Sequence, residues 1–357
     1  MTDLLRKPGA ETGRVHHITP ETAKGPQSPD WAYVGFDLYR LADDYATTEL
    51  GFNLELKGRK WISEVHSFDI VLETDFTNFN DTSTQNLSNF FLKPAFTFHN
   101  DFMKAKIGAS VASHEDKFSI FPDVEVGVNI LGASLAAFAG AEGDLQKNTF
   151  RSLTDYNPFL KSRINIENTE YLHFYGGIRG DINVLQYSIQ AGYKNAKNLA
   201  LFLADEELGN GFRKRFDVLY DTVTIFNVSG TATVKLFDNL QVIGTVNQNI
   251  YKPTNQDKAW HLPAFSVNGT ILYTTLENNL ILKGELFFEN GVPYLDELGE
   301  AINLNALFDV VLGAEYYFLE NVGAFIQVNN LANNKRQRWE GYPTFGTNAL
   351  VGISARF

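Results

Sequence analysis

"GYPTFGTNALVGISARF", residues 341–357, closes the chain. Up to Gly346 it is turn chemistry, and after that it alternates. Ala349, Val351, Ile353, Ala355 and Phe357 fall on one side of an extended chain, with Gly352, Ser354 and Arg356 on the other. Soluble domains tend to end in a frayed polar segment. A strand that stays apolar on one face to its last residue suits a sheet whose apolar face meets lipid.

The same alternation recurs upstream. In "FDVVLGAEYYF", Phe308, Val310, Leu312, Ala314, Tyr316 and Phe318 oppose Asp309, Val311, Gly313, Glu315 and Tyr317. In "LILKGELFFE", Leu280, Leu282, Leu286 and Phe288 oppose Lys283, Glu285 and Glu289. "LHFYGGIRGDI" sets Leu172, Phe174, Ile178 and Ile182 against His173, Tyr175, Arg179 and Asp181. "SFDIVLETDF" sets Phe68, Ile70, Leu72 and Phe76 against Asp69, Glu73 and Asp75. Tight turns near Asn100, Gly132, Asp238, Glu277 and Glu320 separate longer segments at 144–169, 205–217, 252–262, 292–307 and 333–347. Short turns at one end and long loops at the other are the pattern of a transmembrane barrel. The expectation is an all-β fold: an antiparallel up-and-down transmembrane β-barrel of about sixteen strands, each roughly ten residues long.

Composition agrees. The 357 residues include 29 Phe and 15 Tyr, yet mean hydropathy is −0.18, so the aromatics are embedded in a polar chain. No window approaches the ~18 to 20 continuous apolar residues of a membrane helix. The net charge of −12 argues against nucleic acid. The absence of cysteine removes disulfides, thiolate metal sites and cysteine nucleophiles. Residues 1–30 read as a flexible polar leader without the apolar core of a signal peptide, and residues 31–357 as the barrel. Trp31 and Trp61 lie at the short-turn end and Trp260 and Trp339 in long loops, where aromatic belts collect; ordinary loop anchors are the alternative.

The polar face suits a hydrated interior. Its candidate interior-facing residues are His173, Arg179, Asp181, Glu285, Asp309 and Glu315. Acid outnumbers base on it, which favours cations or neutral solutes. Two basic clusters fall in long loops, one at Arg213, Lys214 and Arg215, the other at Lys335, Arg336 and Arg338. They are candidate ligand contacts, for lipopolysaccharide or an acidic solute; a plain solvated loop is the alternative. No catalytic constellation emerges. The histidines are scattered, no serine sits in a nucleophile elbow, and no metal or cofactor is expected.

Specific residues carry a resemblance. "VNNLANNK" (328–335), the stretch holding Trp339, Gly341, Tyr342 and Pro343, then Gly346 and the final strand resemble the last two strands of a TonB-dependent-receptor-like outer-membrane barrel. "HFYGGIRG" (173–180), "YNPF" (156–159) and "LYDTV" (219–223) resemble a plug-less subgroup of these barrels. The resemblance implies an outer-membrane location, a lipid and lipopolysaccharide environment, and contact with other envelope proteins. It implies that Val351, Ile353, Ala355 and Phe357 form the signal read by the outer-membrane assembly machinery. Receptors of this type carry a plug and close with about 22 strands, whereas only about thirty residues precede the first strand here. The implied function is passage of small solutes across the outer membrane. A non-conducting scaffold in an envelope complex and the C-terminal portion of a longer barrel stay open, and no enzyme activity is expected.

Overall fold

The computed structural model describes residues 13–15, 30–62, 65–114, 117–205, 215–275, 277 and 279–355. Of the leader, only residues 13–15 and 30 fall within this set. Alternating Val, Ile, Leu and Phe favour a pleated chain, and unpaired backbone groups drive each strand onto its neighbour. Among the described residues the result is one antiparallel sheet of seventeen strands, two small ribbons and one short helix. Sixteen of the strands are long, from 8 to 23 residues, and the expected fold class holds.

Packing divides the chain into two units. The first comprises Met1–Asn129, Phe138–Tyr175 and Tyr193–Thr224. It opens with β1 (Gly13–Val15), which pairs with β2 (Trp31–Ala42). Then β3 (Thr48–Ile62), β4 (His66–Asn80), β5 (Thr84–His99), β6 (Met103–His114) and β7 (Lys117–Asn129) each pair with the strand before. Most of β8 (Ala136–Asn148), the helix α1 (Phe150–Tyr156) and parts of β9 (Glu167–Ile182), β10 (Leu185–Asp205) and β11 (Arg215–Phe237) complete it. The ladder between β5 and β6 breaks once, where Pro94 has no N–H to offer. Gly108 faces that break, and a Cβ there would stand 2.8 Å from the Pro94 carbonyl and from the Ala95 Cβ.

The second unit comprises Ile130–Ala137, Gly176–Gly192 and Ile225–Phe357. In it β12 (Leu240–Pro253), β13 (Phe265–Thr275), β14 (Leu280–Asn290), β17 (Leu307–Leu319), β18 (Val322–Asn329) and β21 (Asn348–Ala355) pair in that order. Between β14 and β17 lies a ribbon of β15 (Pro293–Leu295) and β16 (Ala301–Asn303). Between β18 and β21 lies another, of β19 (Gln337–Trp339) and β20 (Tyr342–Pro343).

Exposure runs opposite to that of a soluble sheet. Ile120 in β7 is 75% exposed and Ile353 in β21 is 78% exposed, while Glu49 in β3 is 1% exposed and Asp309 in β17 is 8% exposed. Leu72, Phe90, Leu282, Leu312 and Ile326 join the outward apolar set. Among the described residues no helix is long and apolar enough to cross a membrane. The loop pattern is less regular than the sequence suggests. Beside the tight connection 100–102, the opposite ends of the first hairpins are also short, at 43–47 and 81–83. Trp260 and Trp339 are both buried at 3% exposure, so they pack loops rather than line a lipid boundary.

Candidate functional site

The polar face of the first unit is a ladder of paired charges. Alternation puts Asn53, Glu55, Lys57 and Arg59 of β3 on that face, beside Asp69, Glu73 and Asp75 of β4. Arg59 Nε meets Asp69 Oδ1 at 2.5 Å, and the Ser67 hydroxyl donates to the other Asp69 oxygen at 3.0 Å. Lys93 Nζ lies 2.5 Å from Asp144 and 3.8 Å from Glu73, and Asn53 donates to Glu73 at 3.0 Å. Lys106 meets Asp123 at 2.6 Å, and Lys147 bridges Asp75 and Thr77. Five of these groups, Glu73, Asp75, Lys93, Asp144 and Lys147, line a cavity of about 340 Å³ together with Tyr171.

The 149–166 connection folds onto this face. It starts with a capping box: the Ser152 amide donates to Thr149 Oγ1 at 3.1 Å and the Thr149 amide to Ser152 Oγ at 2.9 Å. The next amides of α1 turn to Glu49, whose carboxylate accepts from Phe150 N at 2.6 Å and Arg151 N at 3.1 Å. Tyr39 Oη donates to the same carboxylate at 2.9 Å. Arg151 reaches Asp37 at 3.2 Å and lies over the Tyr39 ring, 4.2 Å from its centroid. Asp43 shapes the β2–β3 turn by accepting from the Tyr45 and Thr47 amides, and its other oxygen accepts the Ser162 hydroxyl. Gln85 holds Ile164 O at 2.8 Å and Ile166 N at 3.0 Å.

Apolar side chains do the rest. Phe150 packs on Phe79 with ring centroids 5.3 Å apart, and Leu153, Leu160 and Ile164 are buried with Leu201, Phe202 and Phe216. Burying each such side chain is worth about 1.5–3 kcal/mol. At the far end Lys161 joins Asp217 at 2.6 Å and Asp205 at 3.6 Å. Burial alone would pull the Lys161 ammonium below its ordinary 10.5. The Asp217 hydrogen bond and the charges of Asp217 and Asp205 outweigh it, and the net direction is up.

The sequence-predicted interior residues do not gather into one site. His173 is buried in the first unit with its Nδ1 3.0 Å from Glu142, whereas Arg179 and Asp181 belong to the second. Asp181 is exposed and accepts from Gln186 at 3.0 Å. Glu285 pairs with Lys283 at 2.9 Å, and Glu315 accepts from Tyr317 Oη at 2.7 Å. Asp309 is buried, and its Oδ1 has no hydrogen-bond partner among the described residues. Of the basic clusters, Arg213 and Lys214 lie outside the described residues, Arg215 is half-buried, and Lys335 and Arg336 are exposed. Arg338 instead forms an ion pair with the buried Glu289. Beside it, Trp339 stacks on His261 at 5.2 Å. Val351, Ile353 and Ala355 are exposed on β21, with Gly352 and Ser354 sheltered, and Phe357 lies outside the described residues.

Glu49, Asp43 and Lys161 were not visible as a group in the sequence. The one local signal was Thr149 followed three residues later by Ser152, which marks a helix start but not what it docks against. Among the described residues no three metal-ligating side chains come together.

No family model matches the sequence, and no curated protein matches it either. Solved structures do. The copper transporter OprC superposes with a TM-score of 0.60 at 11% identity, over 92% of this chain and 62% of that one. The FrpB iron transporter from Neisseria meningitidis (F3-3 variant) gives 0.63 at 11% identity, over 92% and 60%. A mutant of the ferric enterobactin receptor PfeA from Pseudomonas aeruginosa gives 0.62 at 13% identity, over 92% and 59%. The chain therefore spans about 60% of the length of the solved chains it matches. At these identities the likeness is one of fold, and at that level the resemblance carried by the C-terminal residues holds: this chain has the β-barrel fold of TonB-dependent outer-membrane receptors.

Proposed function

We propose that this chain is an outer-membrane β-barrel through which small solutes cross. The observation that carries this reading is the inverted exposure of its strands, apolar out and charged in. A closed barrel is the arrangement of strands that satisfies every backbone hydrogen bond in lipid. The similar solved proteins are named as transporters and receptors, which supports passage. The excess of acid on the polar face favours cations or neutral solutes over anions. In this reading the exposed Lys335 and Arg336, with the Arg213–Arg215 cluster, meet lipopolysaccharide or an acidic ligand at the loop end. Val351, Ile353, Ala355 and Phe357 present the terminal strand to the assembly machinery. No enzymatic step is assigned to it.

Reconstitution of the purified chain into planar bilayers tests the reading. The expected result is a steady conductance and uptake of small sugars by vesicles. A folded, membrane-inserted chain that passes neither current nor sugar sinks it. That outcome favours a second reading, a non-conducting scaffold, which the segment packed on the polar face of the first unit supports.

A further inference from the structure

We propose that the 149–166 segment is a fixed internal strap that narrows the solute path along the polar face of the first unit, with Glu49 as its keystone. This rests on the passage reading above. A surface loop of this length would leave Phe150, Leu153, Leu160 and Ile164 in water; here all four are at most 4% exposed. The segment is pinned along its length rather than at its ends alone. Glu49 takes its first amides, Asp43 takes Ser162, Asp205 and Asp217 take Lys161, and Gln85 takes both sides of Asn165. Glu49 itself sits on the face that would otherwise line the path, 1% exposed, and its partners are strap amides and Tyr39. The strap starts two residues after Lys147, a wall residue of the 340 Å³ cavity, so it borders that polar recess. Five anchoring residues at four places describe a constriction of set width, not a lid that swings.

The test uses the whole chain in planar bilayers, with heat-modifiable gel migration confirming that each variant is folded. The chain has no cysteine, so Asp43→Cys with Ser162→Cys introduces one clean pair. The Ser162 hydroxyl donates to Asp43, so cross-linking of this pair reports whether the strap stays at this anchor. Oxidation is expected to cross-link the pair and leave conductance at the wild-type level. Releasing the strap, by Glu49→Ala with Phe150→Ala or by Gly/Ser replacement of 150–163, is expected to raise conductance about twofold or more, since pore width sets it. Glu49→Gln keeps the shape and should give a smaller rise. Released variants that conduct no more than wild type overturn the strap as a constriction. If wild type conducts and release changes nothing, the strap fails and the passage reading stands. If wild type is silent and release opens a pore, the strap stands and the open-passage reading fails.

Discussion

Gly108 and Arg338 show what single residues decide. Pro94 interrupts the β5–β6 ladder, and the chain tolerates this because nothing projects from Gly108 into the gap. Gly108→Ala puts a methyl against backbone atoms and is expected to cost about 1–3 kcal/mol. Gly244→Ala, where a Cβ meets nothing within 4 Å, is expected to be near neutral. Urea midpoints in detergent measure the difference. Arg338 separates a structural arginine from a ligand contact. Arg338→Ala leaves the buried Glu289 unpaired and is expected to destabilise by about 3–5 kcal/mol. Arg336→Ala, at an exposed site, should stay within about 0.5 kcal/mol. Equal costs for the two would contradict the ion pair as the reason Arg338 is held.

At the scale of elements, each strand has two environments, and substitutions report them. Ile326 on β18 is outward and Gln327 beside it lies on the polar face. Ile326→Lys is expected to cost about 2–4 kcal/mol in lipid, and Gln327→Lys little. Similar costs in vesicle-unfolding titrations would place both in water. The strap has its own signature in pH. The folded pKa of Lys161 is raised, so its contribution is fully present below the ordinary 10.5 and fades only as pH rises through the higher folded value. The difference in urea midpoint between the wild type and Lys161→Met should therefore be constant between about pH 5 and 9 and shrink at more alkaline pH. The strands were legible because alternation is a local property: which residue faces which way follows from counting by two. The strap was not, because its docking depends on partners up to 119 residues away, and nothing in 149–166 names Glu49 or Asp43. For Trp260 and Trp339 the sequence left two readings, lipid belt or loop anchor, and their burial decides for the anchor. Alternation sets the interior candidates His173, Arg179, Asp181, Glu285, Asp309 and Glu315 on the polar side of their strands, yet sharing a face does not bring residues on different strands together.

For the molecule as a whole, the exposed apolar residues predict a chain that needs detergent. Extracted with detergent and left unboiled, it should migrate faster on gels than after boiling. A monomer soluble without detergent would contradict the fold's placement in lipid. Beyond equilibrium, the strap fixes an order of events. Glu49 to Arg151 spans 102 positions and Asp43 to Ser162 spans 119, while Lys161 to Asp217 reaches 56 positions the other way. Contacts this distant in sequence form slowly, because long chain segments must be gathered before they are rewarded. The clasp has one jaw made early in the chain and the other made by β10 and β11, so it shuts only after both are in place. Until then 149–166 hangs free, and pulsed proteolysis during refolding should cut there first and stop cutting there last.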